Sequence, residues 1–100
     1  MKIVHVIPRP DIKSRLKSLL REKELSLRGK NTTLYRQKQG RWKHTTYPGW
    51  ISWDEALGGI LVAEVHSKKE GEEWQLLRSF VGYLERHLGS EIDCISIYYR

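Results

Sequence analysis

The chain has 100 residues, 39% of them apolar, with a formal net charge of +6 and a single cysteine, Cys94. That length suits one domain, taken as residues 1–100, with modest stability on the order of 5–10 kcal/mol. One cysteine excludes an internal disulfide, and the apolar stretch Ile3–Ile7 is too short for a signal-peptide core or a bilayer span. The expectation is a cytoplasmic protein with no membrane partner. Residues 1–44 hold thirteen Lys/Arg against three Asp/Glu, a balance of +10, whereas residues 45–100 hold five against nine, a balance of −4. Such asymmetry points to nucleic acid or another polyanion, or to self-association between unlike faces. A fold that mixes the two halves would instead neutralise much of it.

Lys2 to Ile7 reads as a strand stopped by Pro8. Pro10 suits a helix first turn, and Ile12, Leu16, Leu19 and Leu20 form one apolar stripe, which predicts a helix over 10–23. A polar loop over 24–31 follows. Residues 32–38 and 41–47 read as a hairpin about Gln39-Gly40, and Tyr47-Pro48-Gly49-Trp50 as a type II turn. Asp54 to Leu57 reads as one helical turn ended by Gly58-Gly59, with Ser52 as its cap. Residues 60–66 form a strand, with Leu61, Ala63 and Val65 on one side and Val62, Glu64 and His66 on the other. A second helix is expected over 72–88, its apolar face made of Trp74, Leu77, Phe80, Val81, Leu84 and Leu88, with Gly89 ending it. Residues 92–99 alternate as a last strand.

This order gives an α+β fold class, a two-layer sandwich with two helices on one face of a mixed sheet of four or five strands. It resembles a ferredoxin-like fold with an inserted hairpin. The resemblance is one of element order alone and implies no function.

Motifs for catalysis or cofactors are scarce. His5, His44, His66 and His87 are scattered, and no second cysteine completes a metal set. Glu64 and His66 share a strand face and could act as an acid/base pair or stand as an exposed ion pair. Cys94 reads as a buried strand residue, not a nucleophile. There is no GxSxG, Walker A or GxGxxG pattern, and no cofactor is expected.

The hairpin carries most. A loop at Gln39-Gly40 sets Lys38 opposite Arg41, Arg36 opposite Lys43 and Leu34 opposite Thr45, with Tyr35 opposite His44 and Gln37 opposite Trp42 on the other face. Like charges directly opposed destabilise a sheet, so these pairs are either well solvated or relieved by an anion. Lys13, Lys17 and Arg21 form a basic stripe on the first helix, and Arg28 and Lys30 follow it. With Arg36, Lys38, Arg41, Lys43 and Trp42 they make a candidate phosphate-binding patch. Trp42, Trp50, Trp53, Tyr35 and Tyr47 are stacking platforms if exposed, or core filler in a chain with one Phe. Three functions compete: a non-catalytic nucleic-acid-binding module, RNA more than DNA; a protein-interaction module, as a homodimer joined through sheet edges or the open sheet face; and a small enzyme with a pocket near His5, Glu64 and His66.

Overall fold

The computed structural model describes residues 1–12, 14–27, 34–37 and 41–99, apart from the side chain of Glu70. Strands β1 (Lys2–Pro8), β2 (Leu34–Arg36), β3 (Trp42–His44), β4 (Trp50–Glu55), β5 (Leu61–His66) and β6 (Ile92–Tyr99) surround helices α1 (Leu16–Ser26) and α2 (Glu70–Leu88) in the chain order β1-α1-β2-β3-β4-β5-α2-β6. The six strands form one sheet in the order β2-β3-β4-β5-β1-β6, and every neighbouring pair is antiparallel. The fold is therefore α+β with two helices and a six-stranded antiparallel open sheet. This corrects the expectation of a mixed sheet of four or five strands. The parallel strands β5 and β6, joined by α2, are held apart by β1, which runs opposite to both.

Alternation along the strands divides the sheet into two faces. Val4, Val6, Ile51, Leu61, Ala63 and Val65 are buried on one face, against Leu16 and Leu20 of α1 and Leu76, Leu77, Phe80, Tyr83, Leu84 and Leu88 of α2. The other face has no helical layer among the described residues. The 60–66 alternation falls as the sequence predicts.

Several boundaries and faces differ from expectation. α1 begins at Leu16, not near residue 10, because the chain after Pro8 is first tied down elsewhere: the Arg9 N–H donates to the Glu91 carbonyl at 2.9 Å and Ile12 N–H to the Arg9 carbonyl at 3.4 Å. Ile12 still packs on the core, but from this turn. Asp54 and Glu55 continue β4, so Ser52 is a strand residue and no helix cap. A 3-10 turn at Leu57–Gly59, with Gly58 and Gly59 at φ +77° and +76°, leads into β5.

On α2 the buried face is rotated from the expected one. Trp74 is 41% exposed, while Glu73 beside it is 3% exposed. Glu73 is held there by Lys2, whose Nζ donates to Oε1 at 2.9 Å, and by the Met1 amine at 3.3 Å from Oε2. Burial works to raise the Glu73 pKa, but the hydrogen bonds and charges of Lys2 and the amine outweigh it and hold the carboxyl below its ordinary value. Cys94, expected in the core, is exposed on edge strand β6, on the face without helices. No helix among the described residues is long and apolar enough to cross a membrane.

Candidate nucleic-acid interface

The hairpin pairs one residue away from the expected register. Leu34 lies opposite His44, Tyr35 opposite Lys43 and Arg36 opposite Trp42, and the Gln37 N–H donates to the Arg41 carbonyl at 2.7 Å. A one-residue slip changes which side chains meet on each face. This register sets Leu34 and Trp42, 3% and 1% exposed, together on the core side. It also removes the expected opposition of Arg36 to Lys43. Lys38, Gln39 and Gly40 lie outside the described residues, as do Lys13, Arg28 and Lys30.

The predicted basic patch is consequently split. Arg36 is on the core side of β2, its Nη1 3.7 Å from Glu24 Oε1 on α1. Lys17 donates to Asp54 Oδ1 at 2.9 Å, and both side chains are well exposed. Arg21 is exposed on α1. Trp42, proposed as a stacking residue, is buried in the core, 6.2 Å from Trp53 and edge-on to Tyr83 at 5.6 Å between ring centroids. A base cannot reach it in this fold. Of the predicted residues, Arg41 and Lys43 are the pair that the structure brings together on the open face.

Their setting is an aromatic stack that the sequence did not reveal. The Arg41 guanidinium lies over the Trp50 ring, 4.5 Å from its centroid. Trp50 pairs across the sheet with His66, and the two rings stack at 4.8 Å with 13° between their planes. Arg41 immediately precedes β3 and His66 ends β5, the two strands on opposite sides of β4, so Trp50 contacts both. The guanidinium is thereby pre-positioned with part of its rotamer freedom already lost. Cation–π contact of this kind contributes about 0.5–1 kcal/mol at an exposed site.

The turn before Trp50 is tightly fixed. Gly49 has φ +109°, and a Cβ on it would run into the His66 carbonyl. Here the sequence-predicted glycine turn has both its positive φ and a close backbone approach to explain it. Next to it, His44 stacks on Tyr47 at 4.5 Å, and its Nδ1 accepts hydrogen bonds from the backbone N–H groups of Thr46 at 2.9 Å and Tyr47 at 3.2 Å. Burial lowers the His44 pKa, in keeping with a nitrogen that must stay unprotonated to accept.

A cavity of about 310 Å³ opens between this turn and the chain leading from β5 to α2. Trp50 forms part of its wall, together with residues that include Lys43, Lys68 and Lys69, and the wall is mostly apolar. Among the described side chains, no carboxylate makes an ion pair with any of these lysines. A larger hollow of about 500 Å³ lies between the Pro8–Ile12 segment and Gly58–Ile60. One of its two arginines, Arg15, is already paired with Glu55 at 3.1 Å.

The candidate acid/base site does not assemble. His66 Nε2 is 4.0 Å from Glu64 Oε1, beyond hydrogen-bond length, and that approach is an ion pair only when the imidazole is protonated. His5 instead lies against Tyr98, with 4.7 Å between ring centroids. Among the described residues, no group of three or more His, Cys, Asp or Glu is placed to hold a metal ion. The place of His66 against Trp50, and of Lys68 and Lys69 near it, is not legible in the sequence, because the pairing of β4 with β5 is what brings them to Trp50. No spacing in the chain encodes that pairing. Comparison with known proteins gives no match to a family model, a curated protein or a solved structure.

Proposed function

We propose that this chain is a non-catalytic module that binds single-stranded nucleic acid, RNA more than DNA, on the open face of its sheet. The observation that carries the reading is the Arg41–Trp50–His66 stack with Lys43 beside it. Single strands are held by planar groups on which bases stack and by cations that track the backbone. Arg41, its guanidinium over the Trp50 ring, offers a contact to a base, and Lys43 supplies a phosphate contact. The arrangement β4-β5-β1-β6 with two helices behind it also fits a ferredoxin-like core, to which the β2–β3 hairpin is added at the β4 edge. That likeness lends the sheet a large uncovered face but assigns it no ligand.

The test is titration with a single-stranded oligouridylate, followed by tryptophan fluorescence at several salt concentrations. Binding should weaken steeply with salt. Arg41→Gln with Lys43→Gln should weaken it further and lower the salt slope by about 1.4 units, ~0.7 for each charge removed. No detectable binding by the parent protein at low salt would end this reading.

A second reading, the homodimer, has its own support. β6 is an eight-residue edge strand with no Lys, Arg or Pro in it, the kind of edge that proteins usually protect. A parent protein that sediments as a dimer, and a Ser96→Lys variant that sediments as a monomer, would favour it.

A further inference from the structure

The free edge of the sheet at β6 differs along its length. Ile92 pairs with Pro8 and Cys94 with Ile7, so the register shifts between them and Asp93 stands as a bulge residue. A bulge bends a strand and interrupts further pairing there. From Cys94 to Tyr99 the register with β1 is continuous, and β1 is the one neighbour of β6 among the described strands. The outward backbone N–H and C=O groups of this stretch therefore have no strand to bond. Ile95, Ile97 and Tyr99 stand opposite Val6, Val4 and Lys2 and lie on the covered side of the sheet, whereas Cys94, Ser96 and Tyr98 lie on the open side. Ile95 and Ile97 pack on the core yet are only partly buried, and Tyr99 is 68% exposed. All 18 Lys and Arg lie outside residues 92–99, so a chain of net charge +6 meets another copy with least repulsion along this strand.

Resting on the homodimer reading, and fixing its symmetry and register, we infer that β6 pairs with β6 of a second copy, antiparallel and with Ile97 on the two-fold axis. Directly opposed residues of an antiparallel pair point to the same face, so setting odd-numbered residues against odd-numbered ones keeps both helical layers on one side. Centred on Ile97, the pairing sets Ile95 opposite the partner's Tyr99, Ile97 opposite the partner's Ile97, and Tyr99 opposite the partner's Ile95. All three contacts are apolar, and two are the aromatic with β-branched kind that stabilises sheets. Centring on Ser96 or Ile95 would instead set Asp93 of the bulge opposite Tyr99 or Ile97. The contact is isologous, closes as a dimer and leaves no β6 edge free. Both open faces then lie on the same side of one continuous sheet, so the two Arg41–Trp50–His66 stacks face the same way and stay uncovered.

The experiment is sedimentation of the parent protein followed by crosslinking through one introduced thiol, with Cys94→Ser removing the native one. Opposed Cα atoms of an antiparallel pair are about 4.5–5.5 Å apart, within disulfide reach. The parent should sediment as a dimer. On mild oxidation Ile97→Cys should form a covalent dimer at least tenfold faster than Ser96→Cys, whose thiols meet only along a diagonal of the ladder. Ile97 also packs on the core, so Tyr99→Ser gives a second test at a residue the single chain leaves exposed. It should weaken the dimer about tenfold with little change in far-ultraviolet circular dichroism, while Asp93→Ser at the bulge should change the affinity less than twofold. A parent that is monomeric at every concentration would remove both the homodimer reading and the inference. A dimeric parent in which Ile97→Cys crosslinks no faster than Ser96→Cys, or in which Asp93→Ser weakens the dimer as much as Tyr99→Ser, would overturn this pairing and leave the homodimer reading standing.

Discussion

The two faces of the sheet make different uses of the same residue types. On the covered face, Trp42 of β3 is packed among Trp53, Tyr83 and the apolar side chains of both helices, with 1% of its surface exposed. On the open face, Trp50 of β4 is half-buried, flanked by a guanidinium and an imidazole. Arginines divide in the same way: Arg36 turns to Glu24 on α1, whereas Arg41 lies on Trp50. Residues close together in the chain are thus assigned to unlike environments by the pleat of the strands. A cluster of charge and aromatic residues in a β sequence is therefore half as dense on either face as it looks on the line.

The sharpest way to break this contrast is to truncate both tryptophans. Trp42→Ala should cost about 3–5 kcal/mol in chemical denaturation, since it empties a packed site. Trp50→Ala should cost on the order of 1 kcal/mol and act mainly on oligonucleotide affinity. Similar stability losses at the two positions would mean that the open face is as structural as the covered one.

Glu73 tests the covered face where it is charged. Glu73→Gln leaves the nearly buried Lys2 ammonium without its carboxylate and should cost about 3 kcal/mol. The parent protein carries a pH signature of the same contact. The Glu73 pKa is lower folded than unfolded, so its stabilisation is fully present above the ordinary carboxylate range and is lost as pH falls through the folded value. Melting temperatures between pH 6 and pH 3 should therefore fall less in Glu73→Gln than in the parent. Parallel curves would show that the contact contributes nothing to acid stability.

Cys94 gives the smallest effect. It is exposed on β6, on the open face, so a thiol reagent should label it in the native state at a rate within about threefold of that in denaturant. Strong native protection would indicate that something covers that end of the face in solution, which is what the homodimer reading requires.

The parts of the fold that could be read in advance are those governed by local periodicity. The alternation of 60–66, the apolar repeat of α2 through Leu77, Phe80, Leu84 and Leu88, and the glycine turn at 47–50 each follow from a few neighbouring residues. The start of α1 is not legible locally: Pro10 and Ile12 satisfy local rules for a helix, yet a hydrogen bond from Arg9 to distant Glu91 holds that segment as a turn. Trp74 was set inside by the same periodicity, which cannot choose between a tryptophan and a glutamate when the glutamate's partner, Lys2, comes from the other end of the chain.

The candidate site shows the same division. Sequence alone determined that cations and aromatic residues crowd residues 35–50, and that two helices and several strands would form two layers, because composition and short-range patterns are properties of the line. Only the tertiary structure decided which of those cations share a face. The burial of Leu34 and Trp42 selected the hairpin register, and that choice separated Arg36 from Lys43. The pairing of β4 with β5 then brought His66, Lys68 and Lys69 to Trp50. Both decisions come from long-range burial and strand pairing, whose energies depend on partners far along the chain and leave no mark in local spacing.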